Sequence, residues 1–202
     1  MRKITERTNE EKKTRRNQFL VGGLLILVMV LSVLGYSLGR NNQEEEAEKV
    51  IYNGYEFTKT NDFWTTTIGS FQFSFKYNPY ETEKISSQIN YLNTYSNKPL
   101  YLSGGNMEAE TEIYRNLFYQ TGIAQRVQYA CLQGEKCEDG SFPIKNCTDN
   151  FVIIRENNQS DILSQNKSEI KQQDGCVFIT GISENLTSTV DSFLFKIMGI
   201  SE

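Results

Sequence analysis

Histidine is absent from all 202 residues. That excludes Ser-His-Asp and Cys-His nucleophile pairs, most zinc enzymes and any imidazole pH switch. Cysteine occurs four times, spaced C-x5-C-x9-C-x28-C from Cys131. Neither the close C-x2–4-C pairs of a zinc site nor the C-x-x-C of a thiol redox enzyme is there. Net positive charge is confined to the start of the chain. Residues 1–40 carry eight basic against three acidic groups, so of the overall charge of −4 the remainder holds −9. A nucleic-acid partner would call for a basic face, so none is expected. Prolines number three, Pro79, Pro99 and Pro143, each at the expected edge of an element. No internal repeat is evident.

One long uncharged run stands out: the twenty residues Phe19–Leu38. Twenty helical residues reach about 30 Å, the thickness of a bilayer's hydrocarbon core. A transmembrane helix is therefore expected over 19–39. A cleaved signal peptide is the rival, but its apolar core runs to about 7–15 residues and a small-residue cleavage site follows it. Here the run is longer and no A-x-A pattern follows. A buried helix of a soluble protein would show a polar face, which this run lacks. Residues 1–18 hold seven basic against three acidic groups. Basic flanks stay in the cytoplasm, so 1–18 reads as a cytoplasmic head, 40–49 as an acidic linker and 50–202 as an extracytoplasmic domain. Gly35 and Gly39 form a G-x-x-x-G, a candidate contact for a homodimer or another protein partner.

All four cysteines, Cys131, Cys137, Cys147 and Cys176, lie beyond the run, an even count suited to two disulfides. Of three connectivities, Cys131–Cys137 with Cys147–Cys176 is preferred. The first closes a short loop, and the second staples two expected strands. Candidate N-glycosylation sites are Asn146, Asn158, Asn166 and Asn185, each heading an N-x-S/T sequon.

The body reads as α+β. Ser70–Tyr77 alternates aromatic and polar residues, the period-2 mark of a strand. Phe63–Ile68 and Gly54–Thr60 precede it, with turns at Gly69-Ser70 and Asn61-Asp62. These make a three-stranded antiparallel meander, and Asn53-Gly54 offers a further turn back to Val50–Tyr52. Leu100–Leu102 is a short strand. A helix follows over Met107–Thr121, capped by Asn106, with Ala109, Ile113 and Leu117 on its apolar stripe and Gly122 closing it. Ile123–Cys131, Phe151–Ile154, Asp161–Lys171 and Cys176–Thr180 are further strands, with a turn at Gln172–Gly175. A C-terminal helix spans Glu184–Met198, with Ser183 as N-cap and Leu186, Val190, Phe193, Leu194 and Ile197 as its buried stripe. A chain ending in a packed helix is expected to be a complete domain.

Several patterns invite a chemical reading. Ser103–Asn106 sits at a strand-to-helix junction, where anions are cradled in α/β folds. No Lys-Ser/Thr pair follows, and Glu108, Glu110 and Glu112 would repel phosphate, so a turn is expected. Glu44–Glu46 lacks the shaped loop of a calcium site and reads as spacer. Phe71, Phe73, Phe75 and Tyr77, with Trp64, are expected as one face of a core in preference to a sugar-stacking platform. No catalytic residue, cofactor or metal ligand is assigned.

The pattern YNGYEFTK…DFW…FSFKYNPYETEKI over Tyr52–Ile85, with Phe142–Ile154 and Asp174–Ile200, resembles that of small, uncharacterised single-pass membrane proteins of archaea. The resemblance rests on strand, cysteine and helix positions and implies no activity. The expectation is a membrane-anchored domain working by non-catalytic interaction at the cell surface. The alternatives are an envelope-associated enzyme using acids and tyrosines, a thiol–disulfide enzyme, and a subunit of a membrane complex.

Overall fold

The computed structural model describes residues 7–39, 47–137, 139–157 and 168–201. The chain divides into two units, residues 1–46 and 47–202. The first holds one helix, α1 (Arg7–Gly39). Its stretch Asn17–Leu34 is long and apolar enough to cross a membrane, by length and composition.

The second unit is α+β. It opens with four antiparallel strands in sequence order: β1 (Lys49–Tyr52), β2 (Tyr55–Thr60), β3 (Phe63–Ile68) and β4 (Phe71–Phe75). Each connection has two residues, and Asn53 and Gly54 both take positive φ, as a primed hairpin turn requires. The meander thus has four strands, one more than the alternation alone suggests, because the Asn53-Gly54 turn does fold Val50 onto Phe57. Trp64, Phe73 and Phe75 are buried, whereas Phe71 remains 39% exposed.

The next layer is helical. α2 (Met107–Tyr114) begins where Ala109 N–H donates to the Asn106 side chain at 3.0 Å. The expected helix to Thr121 does not stay regular. From Arg115 to Tyr119 it widens into a π-helical turn, closed by Gln120 N–H to Arg115 O at 3.0 Å. The widening has a visible consequence at β4, an outer strand of the meander. Asn116 accepts from Ser74 N–H at 2.9 Å and donates to Ser74 C=O at 2.8 Å, occupying the strand's open edge.

The C-terminal helix, α3 (Leu186–Ile197), differs from expectation in two ways. Ser183 does not cap it. Ser183 lies in a 3-10 turn, Ser183–Asn185, and Asn185 takes the N-cap place without a side-chain bond. Nor is α3 buried along one stripe only. Thr187, Thr189, Asp191, Ser192 and Phe195 are buried as well. The reason is position: Phe195 packs on Phe57 and Phe75 of the meander, while other faces meet α2 and a second sheet.

That second sheet has the order β10–β11–β9–β5–β6: β5 (Pro99–Ser103), β6 (Arg126–Tyr129), β9 (Asn150–Glu156), β10 (Glu169–Gln173) and β11 (Cys176–Gly181). β6, β5, β9 and β11 run parallel, and β10 joins β11 as an antiparallel hairpin. The expected strand Ile123–Cys131 divides, its end forming β7 (Cys131–Leu132) beside β8 (Ile144–Lys145). Asp161–Lys171 is a strand only from Glu169; residues 161–167 of that expectation lie outside the described residues. Leu100, Leu102, Val152, Ile154, Val177 and Ile179 face the helices. Tyr101, Phe151, Ile153 and Cys176 form a smaller cluster on the opposite face. β9 is apolar on both faces, as a parallel central strand must be.

Candidate functional site

The carboxyl ends of β5, β6 and β9 border a cleft of about 420 Å³. Ligands of parallel sheets bind at such ends, because loops leaving neighbouring strands diverge there. β5 supplies Ser103 to Gly105, β6 ends in Tyr129, and β9 supplies Arg155 and Glu156. The loop closed by the Cys131–Cys137 disulfide brings Glu135 and Lys136.

Three of the four charged side chains lining this cleft, Glu135, Arg155 and Glu156, are engaged. Tyr129 OH donates to Glu110 Oε2 at 2.6 Å, which, with some burial, pushes the phenol up to about 12. Ser183 Oγ donates to Glu156 Oε1 at 2.6 Å. Arg155 pairs with Glu135 and lies 5.4 Å from the Phe178 ring centroid. A Cβ built on Gly104 would stand 2.7 Å from Glu110 Oε1 and 3.2 Å from Ile154 O. A carboxylate therefore lies against the Ser103–Asn106 turn at Gly104. Tyr129 and Phe142 stack with centroids 5.8 Å apart, giving the cleft an aromatic wall. Such a lining can recognise a polar ligand by hydrogen bonds. Its two cysteines are disulfide-bonded and its tyrosine is held protonated.

The most perturbed acids lie elsewhere. Glu112 of α2 is 1% exposed and Asp191 of α3 is 0% exposed. Arg115 grips Glu112 with two bonds, 3.0 Å to Oε2 and 2.9 Å to Oε1. Asp191 Oδ2 accepts Tyr77 N–H at 2.9 Å. Burial, and then the facing charge of Glu112, hold Asp191 well above the usual carboxylate range. Burial also raises Glu112, with Arg115 pulling it back. The two carboxyls converge inside the packed core.

The structure pairs Cys131 with Cys137 and Cys147 with Cys176, with Cα atoms 5.4 Å and 4.8 Å apart. None of the four is free. Asn146 is exposed in the turn before β9, its side chain accepting from Thr148 N–H at 2.9 Å. Asn185 is half-buried at the start of α3, and its sequon's Thr187 is buried. Asn158 and Asn166 lie outside the described residues, as do Glu44–Glu46. Gly35 and Gly39 fall within α1. Among the described residues, no group of three or more Cys, Asp or Glu side chains is arranged to hold a metal ion.

Sequence reasoning did not single out Tyr129, Arg155, Glu156 or Asp191. Asp191 had a signal: an acid beside Val190 and two residues before Phe193, inside an apolar stripe. Glu112, next to Ile113, had the same one. Compared with known families, curated proteins and solved structures, the chain matches none.

Proposed function

We propose that this is a single-pass, signal-anchored protein with residues 1–18 in the cytoplasm, residues 19–39 in the membrane and a domain outside it. That domain acts by non-catalytic binding or interaction at the cell surface. The observation that carries the reading is an apolar helix of membrane-spanning length preceding a domain with two disulfides and no free cysteine. The basic head and acidic body orient it. The cleft at the ends of β5, β6 and β9 is the binding surface. The resemblance to small archaeal membrane proteins fits this placement and brings no activity with it. Where a host glycosylates, Asn146 is the described sequon open to modification. Gly35 and Gly39 offer a face for a second copy or for a partner helix.

The test is topological. Protease added to intact cells should remove the chain beyond residue 40 or so and spare the head. A membrane-impermeant thiol reagent should label the cysteines only after reduction. Protection of the body, or free thiols on the cytoplasmic side, would overturn the proposal. A carbonate wash that releases the full-length chain would do the same for the anchor.

A further inference from the structure

We propose that Asp191 and Glu112 share one proton in the folded domain, and that this proton latches the helical layer to the meander, tight in acid and released as the surroundings turn alkaline.

The argument begins with an atom. Asp191 Oδ1 is fully buried, and among the described residues no donor reaches it. A buried carboxylate oxygen without a donor carries a heavy desolvation penalty, so carboxyl groups so placed keep a proton. The Glu112 carboxyl lies against the Asp191 carboxyl, within hydrogen-bond reach of it. Both Glu112 oxygens already accept from Arg115. The proton therefore sits on Asp191 Oδ1 and is donated to Glu112, which satisfies both groups at once. Charge balance leads to the same place. One guanidinium stands among two carboxyls, so one proton leaves the cluster neutral and its loss leaves a buried negative charge.

Among the described residues, the surroundings supply no second cation to the interior. Arg115 also donates to Ser74 C=O at 3.2 Å and lies 4.3 Å over the Phe63 ring. Lys76 lies over that same ring from outside, 5.8 Å from its centroid. Glu108, also on α2, adds repulsion. The meander offers backbone, Ser74 C=O and Tyr77 N–H. The segment before β5 gives α3 the Glu83 carbonyl, through Ser192, and the Tyr95 ring, against Phe193. The second sheet presents apolar side chains. The cluster thus ties α2, α3 and β4 together at one point.

The sign follows from linkage. The unfolded chain releases the Asp191 proton near the ordinary value of 3.8, and the folded chain keeps it far longer. The stability it contributes is complete below that value and drains as pH rises through the folded-state value. On opening, the proton passes to solvent and the two carboxylates repel across the α2–α3 contact.

The experiment compares the full chain in detergent micelles with Asp191→Asn, whose amide keeps the neutral form's shape. Denaturant unfolding is followed by fluorescence of Trp64, the sole tryptophan, which is buried at 2% exposure. From about pH 4 upward, the wild-type unfolding constant should rise relative to the variant's by up to about tenfold per pH unit. Parallel profiles would overturn the latch. Should the variant not fold, infrared spectra of wild type with 13C-labelled aspartate decide. A labelled protonated-carboxyl band at neutral pH supports the proposal, and its absence refutes it.

Discussion

Replacing Gly175 by alanine would set a methyl group against backbone. The Cβ would stand 2.2 Å from Asp149 O, 2.9 Å from Cys147 O and 3.0 Å from Asp149 C. No flexible side chain is available to move aside. The strand-to-turn contact is also pinned from three directions. Gly175 N–H donates to Cys147 O at 2.7 Å, Phe151 N–H donates to Gly175 O at 2.9 Å, and the next residue, Cys176, is disulfide-bonded to Cys147. Overpacking of this kind costs about 1–3 kcal/mol. Loss of the Gly175–Cys147 hydrogen bond adds about 1 kcal/mol. A stiffer unfolded chain returns about 0.5 kcal/mol. The net expectation is a loss of about 1.5–3.5 kcal/mol, or about 3–14 °C in Tm for a domain of this size. Gly105→Ala is the control: nothing lies within 4 Å of its Cβ, so it should stay within about 0.5 kcal/mol of wild type. Thermal and urea melts read by Trp64 fluorescence measure both. The mechanism further requires coupling. In a Cys147→Ala, Cys176→Ala background the Cys147–Asp149 turn can retreat, and the penalty should shrink by at least about 0.5 kcal/mol. If Gly175→Ala melts with Gly105→Ala, the contact is soft and the reasoning fails.

The two disulfides should differ in weight. Their separations of 29 and 6 residues predict losses of about 3–4 and about 2 kcal/mol on pairwise replacement by alanine. Equal losses in denaturant melts would contradict that ranking. Tyr129→Phe should cost about 0.5 kcal/mol at neutral pH, the low end for a hydrogen bond because the ring is about half-exposed. The contribution is complete below the ordinary phenol value of 10 and is lost as pH rises through about 12. Ultraviolet titration should show an exposed tyrosine ionising near 12 that the variant lacks. Uniform ionisation near 10 would count against the Glu110 bond.

Much of the secondary structure could be read locally. Phe63–Ile68 is a strand because β-branched and aromatic residues fill it, and its turns carry the residues that two-residue connections need. Asn106 caps α2 because its side chain replaces a missing helical partner. Where expectation failed, a distant group had intervened. The regular helix gives way at Arg115 to a turn whose Arg115 and Asn116 side chains meet β4, some forty residues earlier in the chain. Ser183 leaves its capping role to bond Glu156 and Asn106. Neither substitution of partner has a local signature. The cleft was not visible at all, since its walls come from strand ends separated by tens of residues.

The amino-acid order alone determined three things: a helix fit to span a membrane, the alternation of the Ser70–Tyr77 strand, and the exclusion of imidazole chemistry. Each depends on neighbours in the chain or on the presence of a residue type. Only the tertiary structure decided that β6, β5, β9 and β11 run parallel, that α3 is enclosed on several faces, and that Glu112 meets Asp191. Those outcomes follow from burying apolar area between layers, a driving force that is nearly blind to direction along the chain. The same enclosure turns an ordinary aspartate into a proton holder, because a carboxyl takes its acidity from what surrounds it in space.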